Sequence, residues 1–359
     1  MDFQIDDGIL TKCLNEDITQ AVIPDGVTEI GVQAFEDCKN LASVIIPDSV
    51  IVIAFGAFRG CKNLTSITLP DSVTKIGTMA FLGCENLASI TLPDSVVTIG
   101  DGAFWGCKAL ANKEGFIVIR NVLHNFLGEQ KKVRIPEGVT KIGEMAFQDC
   151  ENLTSVTIPD SVTEIGESAF YGCKSLTSIT IPDSVTEIRE RAFDCCKNLT
   201  SVTIPDSVVT IRDMAFRSCD ALADKEGFII IRNVLHHFRG KRKQVRIPKG
   251  VTKIGESAFC GYKNLTFVTI SNSVMTIGDA AFSGCKNLAS VTIPDSVAEI
   301  GKMAFQDCEN LTSVTIPDSV TEIGESAFRG CNRLVVRTPK DSFAQHYTEK
   351  MGIPFETME

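Results

Sequence analysis

A unit of 23 residues returns along this chain with almost no drift, and that period limits the possible folds more sharply than any other feature. The stretch from Cys150 to Pro182, CENLTSVTIPDSVTEIGESAFYGCKSLTSITIP, shows the pattern C-x-x-L-x-x-[VI]-x-[IL]-P-D-S-V-x-x-I-G-x-x-A-F. The Ala-Phe pair marks twelve copies, ending at Phe35, Phe58, Phe81, Phe104, Phe147, Phe170, Phe193, Phe216, Phe259, Phe282, Phe305 and Phe328. Eleven steps of 23 residues and two insertions of 20 account for the whole interval. One unit buries roughly eight side chains at about 1.5 to 3 kcal/mol each, against an ordering cost of roughly 1.5 kcal/mol per residue. Alone it cannot fold. Stacked on neighbours of the same kind, it shares strand partners and apolar columns on both sides.

The two insertions resemble each other and the start of the chain. GFIVIRNVLHNFLGEQKKVRIPEGV begins at Gly115, GFIIIRNVLHHFRGKRKQVRIPKGV at Gly227, and FQIDDGILTKCLNEDITQAVIPDGV at Phe3. Each reads as a strand, a tight turn at Asp7-Gly8, Asn121 or Asn233, and a second strand. The expected organisation is one continuous solenoid over 1–359. It is built from modules 1–111, 112–223 and 224–334, each a hairpin followed by four rungs, with a cap at 335–359.

Within a rung, spacing assigns sides. In Leu64, Ile67 and Leu69 the pattern ends in a period of two, which turns Ile67 and Leu69 inward and Ser66 and Thr68 outward. Pro70 ends the strand, Asp71 and Ser72 supply turn oxygens able to accept backbone N–H bonds, and Val73 and Ile76 return the chain to the interior. Gly77 to Cys84 then reads as one helical turn that carries Ala80 and Phe81 inward, closed by Gly83. At the far end, DSFAQHYTEKMG reads as a helix starting at Asp341 or Ser342 and stopping before Gly352, with Phe343, Tyr347 and Met351 on the face that covers the last rung. The hairpin from Phe3 covers the first.

The unit resembles the BspA-like subclass of leucine-rich repeats, over nearly the whole chain from Phe3 to Phe355. The resemblance implies an α/β solenoid that is mostly β, a right-handed superhelix with one parallel sheet face, short helical turns opposite, a hairpin N-cap and a helical C-cap. It also implies an adhesin-type binding protein at a microbial surface, with a protein ligand such as a host extracellular protein. An intracellular interaction scaffold and a purely structural or ice-binding array are the competing readings. The repeated motif residues are scaffold, so the resemblance transfers no functional site.

Composition narrows the function. With 45 Asp plus Glu against 35 Lys plus Arg the formal charge is -10, which argues against a nucleic-acid-binding face. No apolar run approaches the roughly 20 residues of a spanning helix, and the first twenty residues lack the apolar core of an export signal. The expectation is a monomer that is not inserted in a membrane, with its compartment open. Four His, three Tyr and one Trp leave little material for catalysis, and no Ser, Cys or His stands in a setting distinct from its siblings. No catalytic residue, cofactor or metal is expected.

Three features carry the binding expectations, and two others are read as structural. Outward Ser and Thr positions, among them Ser66, Thr68, Ser155, Thr157, Ser178 and Thr180, form a flat uncharged strand face. Phe267 replaces an outward Ser in the rung where Tyr262 replaces the usual Cys and Ser271-Asn272 the usual Pro-Asp, and it is the foremost candidate for partner contact. Arg239, Lys241, Arg242, Lys243, Arg246 and Lys249 form a basic hairpin tip able to attract an acidic ligand. Eleven of the fourteen Cys share one rung position; they read as a reduced, buried column whose Cβ vectors are parallel, which disfavours disulfides. His236 and His237 are strand neighbours and so point to opposite sides, which counts against a shared metal.

Overall fold

The computed structural model describes residues 2–358. Two compact units make up the chain: the residues up to Ala192 together with Val202–Thr210, and Phe193–Ser201 together with everything from Ile211 onward. Each is a mostly-β solenoid of parallel strands, and the expected inward and outward positions hold.

In the first unit, strand Ser66–Thr68 lies parallel to Ser89–Thr91, pairing Ser66 with Ser89, Ile67 with Ile90 and Thr68 with Thr91. Ile67 and Leu69 are buried while Ser66 and Thr68 are exposed. The rung then makes a second short strand where the sequence suggested only a return to the core. Lys75–Ile76 pairs in parallel with Val52–Ile53 on one side and Thr98–Ile99 on the other. Each rung therefore has two ladders instead of one, separated by the Pro-Asp turn in which Val73 N donates to Pro70 O.

The same construction fills the second unit. Strand Phe267–Thr269 sits between Gln244–Arg246 and Ser290–Thr292, and the ladder runs on through Ser313–Thr315 to Val335–Pro339. Its parallel register places each rung's Val at the same height, so Val268, Val291, Val314 and Val336 form one buried column.

The third side departs from the expected helical turn. Between Gly77 and Cys84 the N–H groups of Ala80, Leu82 and Cys84 bond back three residues to Gly77, Met79 and Phe81. Those of Met79, Phe81 and Gly83 reach the next rung at Asp101, Ala103 and Trp105. Alternate donors thus leave the rung, which a helix forbids, and the chain accommodates this with left-handed backbone at Met79 (φ 57) and Gly83 (φ 72). Ala80 and Phe81 still point inward and are fully buried. Their rings build the stack: Phe58 and Phe81 are 5.3 Å apart at 4°, and Phe81 and Phe104 are 5.6 Å apart at 3°. The glycine that follows the Ile in most rungs suits this close approach. A Cβ on Gly77 would come within 2.6 Å of the Ala54 carbonyl carbon.

The hairpins form at the expected places. Asp7-Gly8, Arg120-Asn121 and Arg232-Asn233 all have positive φ at both positions, the geometry of a tight two-residue turn. At the other end the helix Phe343–Met351 starts after Ser342, whose hydroxyl accepts from Gln345 N, and stops at left-handed Gly352. Its covering face is shifted from expectation. Ala344, Tyr347 and Thr348 are buried, with Tyr347 edge-on to Phe328 at 6.4 Å, whereas Phe343 and Met351 are exposed.

Candidate binding surfaces

The strand face is flat because its outward side chains are short and in register. In the first unit Lys132, Ser155 and Ser178 share one row, Arg134 and Thr157 the next, and Ser66 and Thr68 face solvent on the neighbouring ladder. Thr157, Ser178 and Thr180 are exposed and Ser155 is half-buried. In the second unit Phe267 occupies the Ser row between Gln244 and Ser290, 43% exposed. It stands beside a shallow depression of about 850 Å³ floored by Thr269, Thr292 and Thr315 and closed by Pro339 and Met358. An exposed aromatic of this face thus borders a broad hollow.

The basic tip is partly neutralised by acids that lie outside the insertion in sequence. Arg239 is paired with Asp220 and Arg242 with Glu226 at 3.5 Å. Lys241, Arg242 and Lys243 are exposed. The patch is therefore mixed in charge where the sequence alone showed a run of one sign.

The cysteine column does more than fill space. Inside the modules the column thiols face the carbonyl of the Phe 26 residues earlier: Cys61 to Phe35 O, Cys84 to Phe58 O and Cys173 to Phe147 O, all at 3.1 Å. Ser72 acts similarly, donating from Oγ to Val50 O at 2.6 Å, as Ser95 does to Val73 O at 2.8 Å. These hydroxyls bind the rungs together, whereas spacing suggested that they close their own turn. Burial pushes the Cys84 thiol up to about 12, so it stays protonated and able to donate. Every cysteine is a free thiol.

Tyr262 replaces the column's Cys in the first rung after a hairpin. Its hydroxyl donates to Arg242 O at 3.1 Å and its ring sits edge-on to Phe238 at 5.2 Å. The equivalent Cys150 reaches Phe126 O only at 3.8 Å. That rung follows a hairpin and not a regular coil, so the Cys contact is weak there and a phenol is accommodated.

His236 is buried edge-on against Phe216 at 5.7 Å, while His237 faces Arg239, Asp220, Arg217 and Asp194. The two imidazoles occupy separate surroundings. His124 takes the place of His236 in the first unit, buried edge-on against Phe104 at 5.2 Å. Burial pulls the pKa of each of the three down to about 4, keeping them neutral. His124 escaped notice in the sequence because a single His on an apolar strand resembles any other core residue. Its signal is Gly100-Asp101-Gly102, which stands where the next module has Arg212-Asp213-Met214.

The family described as BspA type Leucine rich repeat region (6 copies) matches residues 4–116, 117–228 and 229–346. No curated protein matches. Among solved structures, a leucine-rich repeat protein from Bacteroides ovatus is 31% identical, covering 96% of this chain and 85% of its own, with a TM-score of 0.42. A leucine rich cell surface protein from Faecalibacterium prausnitzii is also 31% identical, covering 94% of this chain and 92% of its own at the same TM-score of 0.42. Among the described residues no helix is long and apolar enough to cross a membrane.

Proposed function

Because this chain belongs to the BspA type leucine-rich repeat family, we propose that its interaction scaffold is of the adhesin type, non-enzymatic and displayed at a microbial surface. A protein ligand is received on the strand face. The observation that carries this reading is Phe267, a large exposed aromatic set into a row of small hydroxyl side chains beside a broad hollow. Aromatic anchors surrounded by small neutral contacts are the usual energetic centre of a protein interface. Repeat scaffolds recruit partners across such faces because the register of the rungs keeps them rigid and flat.

The deciding experiment is affinity capture by the purified chain, run in parallel with Phe267→Ser, which restores the outward residue of the neighbouring rungs. A ligand retained by the native chain and lost from the variant supports the strand face. A ligand retained equally by both moves the contact elsewhere. Protease accessibility on intact cells tests the surface location separately.

A further inference from the structure

Where the first module meets the hairpin of the second, the first unit contains a hollow of about 420 Å³. One side chain is missing beside it: Gly102 stands where the corresponding rung of the next module has Met214. The buried His124 lines its wall, only 6% exposed, with Nε2 lacking any hydrogen-bond partner. A buried imidazole nitrogen without a partner is costly unless something else satisfies it.

The charges around the hollow favour one sign of ligand. Arg120 is committed to its own frame, donating to Pro93 O at 2.6 Å and Val96 O at 2.8 Å. Lys141 is turned to Glu164 at 3.1 Å. Asp101 and Glu144 both line the hollow, and burial together with Asp101 and Glu167 pushes the Glu144 carboxyl up to about 7 despite Lys141. In the counterpart rung the lysine goes the other way: Lys253 pairs with Asp213 at 3.6 Å.

We propose that this hollow binds an aliphatic ammonium group, supplied by a free amine or by a lysine side chain, between Asp101 and Glu144. The neutral His124 offers Nε2 as an acceptor, and the stem lies along Val97 and Ile99. The ammonium needs the Glu144 carboxylate in its charged form, so binding weakens as Glu144 becomes protonated. Asp101, Glu167 and Lys141 are the groups that set this titration from the surrounding elements. The site stands apart from the strand face around Phe267 and does not depend on that reading.

Calorimetric titration of the purified chain at pH 8.0 tests it, using 1,5-diaminopentane for the free amine and Nα-acetyl-lysine amide for the side chain, with 1-pentanol as the uncharged control. One saturable site is expected for at least one of the two amines and none for the alcohol, and whichever amine binds more tightly identifies the source. Asp101→Asn and Glu144→Gln should each weaken binding at least tenfold, as should lowering the pH to 5.5. Gly102→Met should abolish it by filling the hollow. That variant is compatible with the backbone, because a Cβ at Gly102 meets only Met79 Cγ at 3.6 Å and Met79, Met145, Met214 and Met303 carry the same positive φ. Thermal melts confirm that each variant is folded. Absence of saturable binding by either amine, or affinity unchanged in all three folded variants, overturns the proposal.

Discussion

The interior of a module and the junction between modules are built from the same residues to different effect. Inside the first module Phe rings stack nearly parallel and each column thiol meets a Phe carbonyl at 3.1 Å, as Cys84 meets Phe58. At the junction the stack ends when Phe104 meets the edge of His124 at 85°. It restarts with Phe126 tilted 39° to Phe147 and with Cys150 3.8 Å from its carbonyl. A regular coil satisfies most of its interior polar groups through a like neighbour. An interrupted coil has a different neighbour, and unmatched groups collect there.

Comparison of the two junction hairpins shows how little is needed to change the outcome. Lys141 is drawn away from Asp101 by Glu164 in the following rung, whereas Thr276 holds that place after Lys253, which turns to Asp213 instead. One acid in a neighbouring coil decides whether the junction carboxyls are neutralised.

The sharpest way to break this contrast is in the interior. Phe170→Ala removes a fully buried ring stacked 4.8 Å from Phe147 and should cost about 3 to 5 kcal/mol. A melting temperature lowered by less than a degree would contradict the placement of the Phe column. The junction should reveal itself next, through pH. His124 has a folded pKa of about 4 against an ordinary 6.5, so the unfolded chain binds the proton first. Stability is full above about pH 6.5, falls as the pH drops towards 4, and the loss reaches about 3 kcal/mol for this residue. His124→Phe should flatten that part of the stability profile measured by denaturant titration.

Paired cysteine variants give a smaller but more discriminating effect. Cys84→Ala removes the thiol from the Phe58 carbonyl, which keeps its bond from Cys61 N, and should cost about 1 kcal/mol. Cys150→Ala, at a junction where the contact is long, should cost clearly less. Equal losses would mean that the thiol serves as volume alone. Smallest of all, Arg242→Gln with Lys243→Gln at the exposed hairpin tip should change stability by no more than about 0.5 kcal/mol. A larger loss would make the tip a structural element.

Much of this architecture was legible in the chain itself. The alternation in Ile67 and Leu69, the breaking effect of Pro70 and the Ala-Phe pair assign sides correctly because each reports a preference for water or for the interior that belongs to the residue. Asp7-Gly8 and Asn121 mark turns because positive φ is a local demand. The helical turn at Gly77–Cys84 and the covering face of the last helix were misjudged for one reason. Local spacing cannot say that Met79, Phe81 and Gly83 will give their N–H groups to another rung, or that Ala344 will face the core in preference to Phe343.

What the sequence determined by itself was the period, the inward set and the stacking that follows from units too small to stand alone. Only the tertiary structure decided which partners the Cys and Ser side chains take, which carboxyl a lysine neutralises, and where a hollow remains. Those outcomes depend on atoms 20 or more residues apart being brought within about 3 Å, and on the space left by the side chain that Gly102 lacks. A periodic pattern records what each residue prefers, but a cavity is a property of the arrangement.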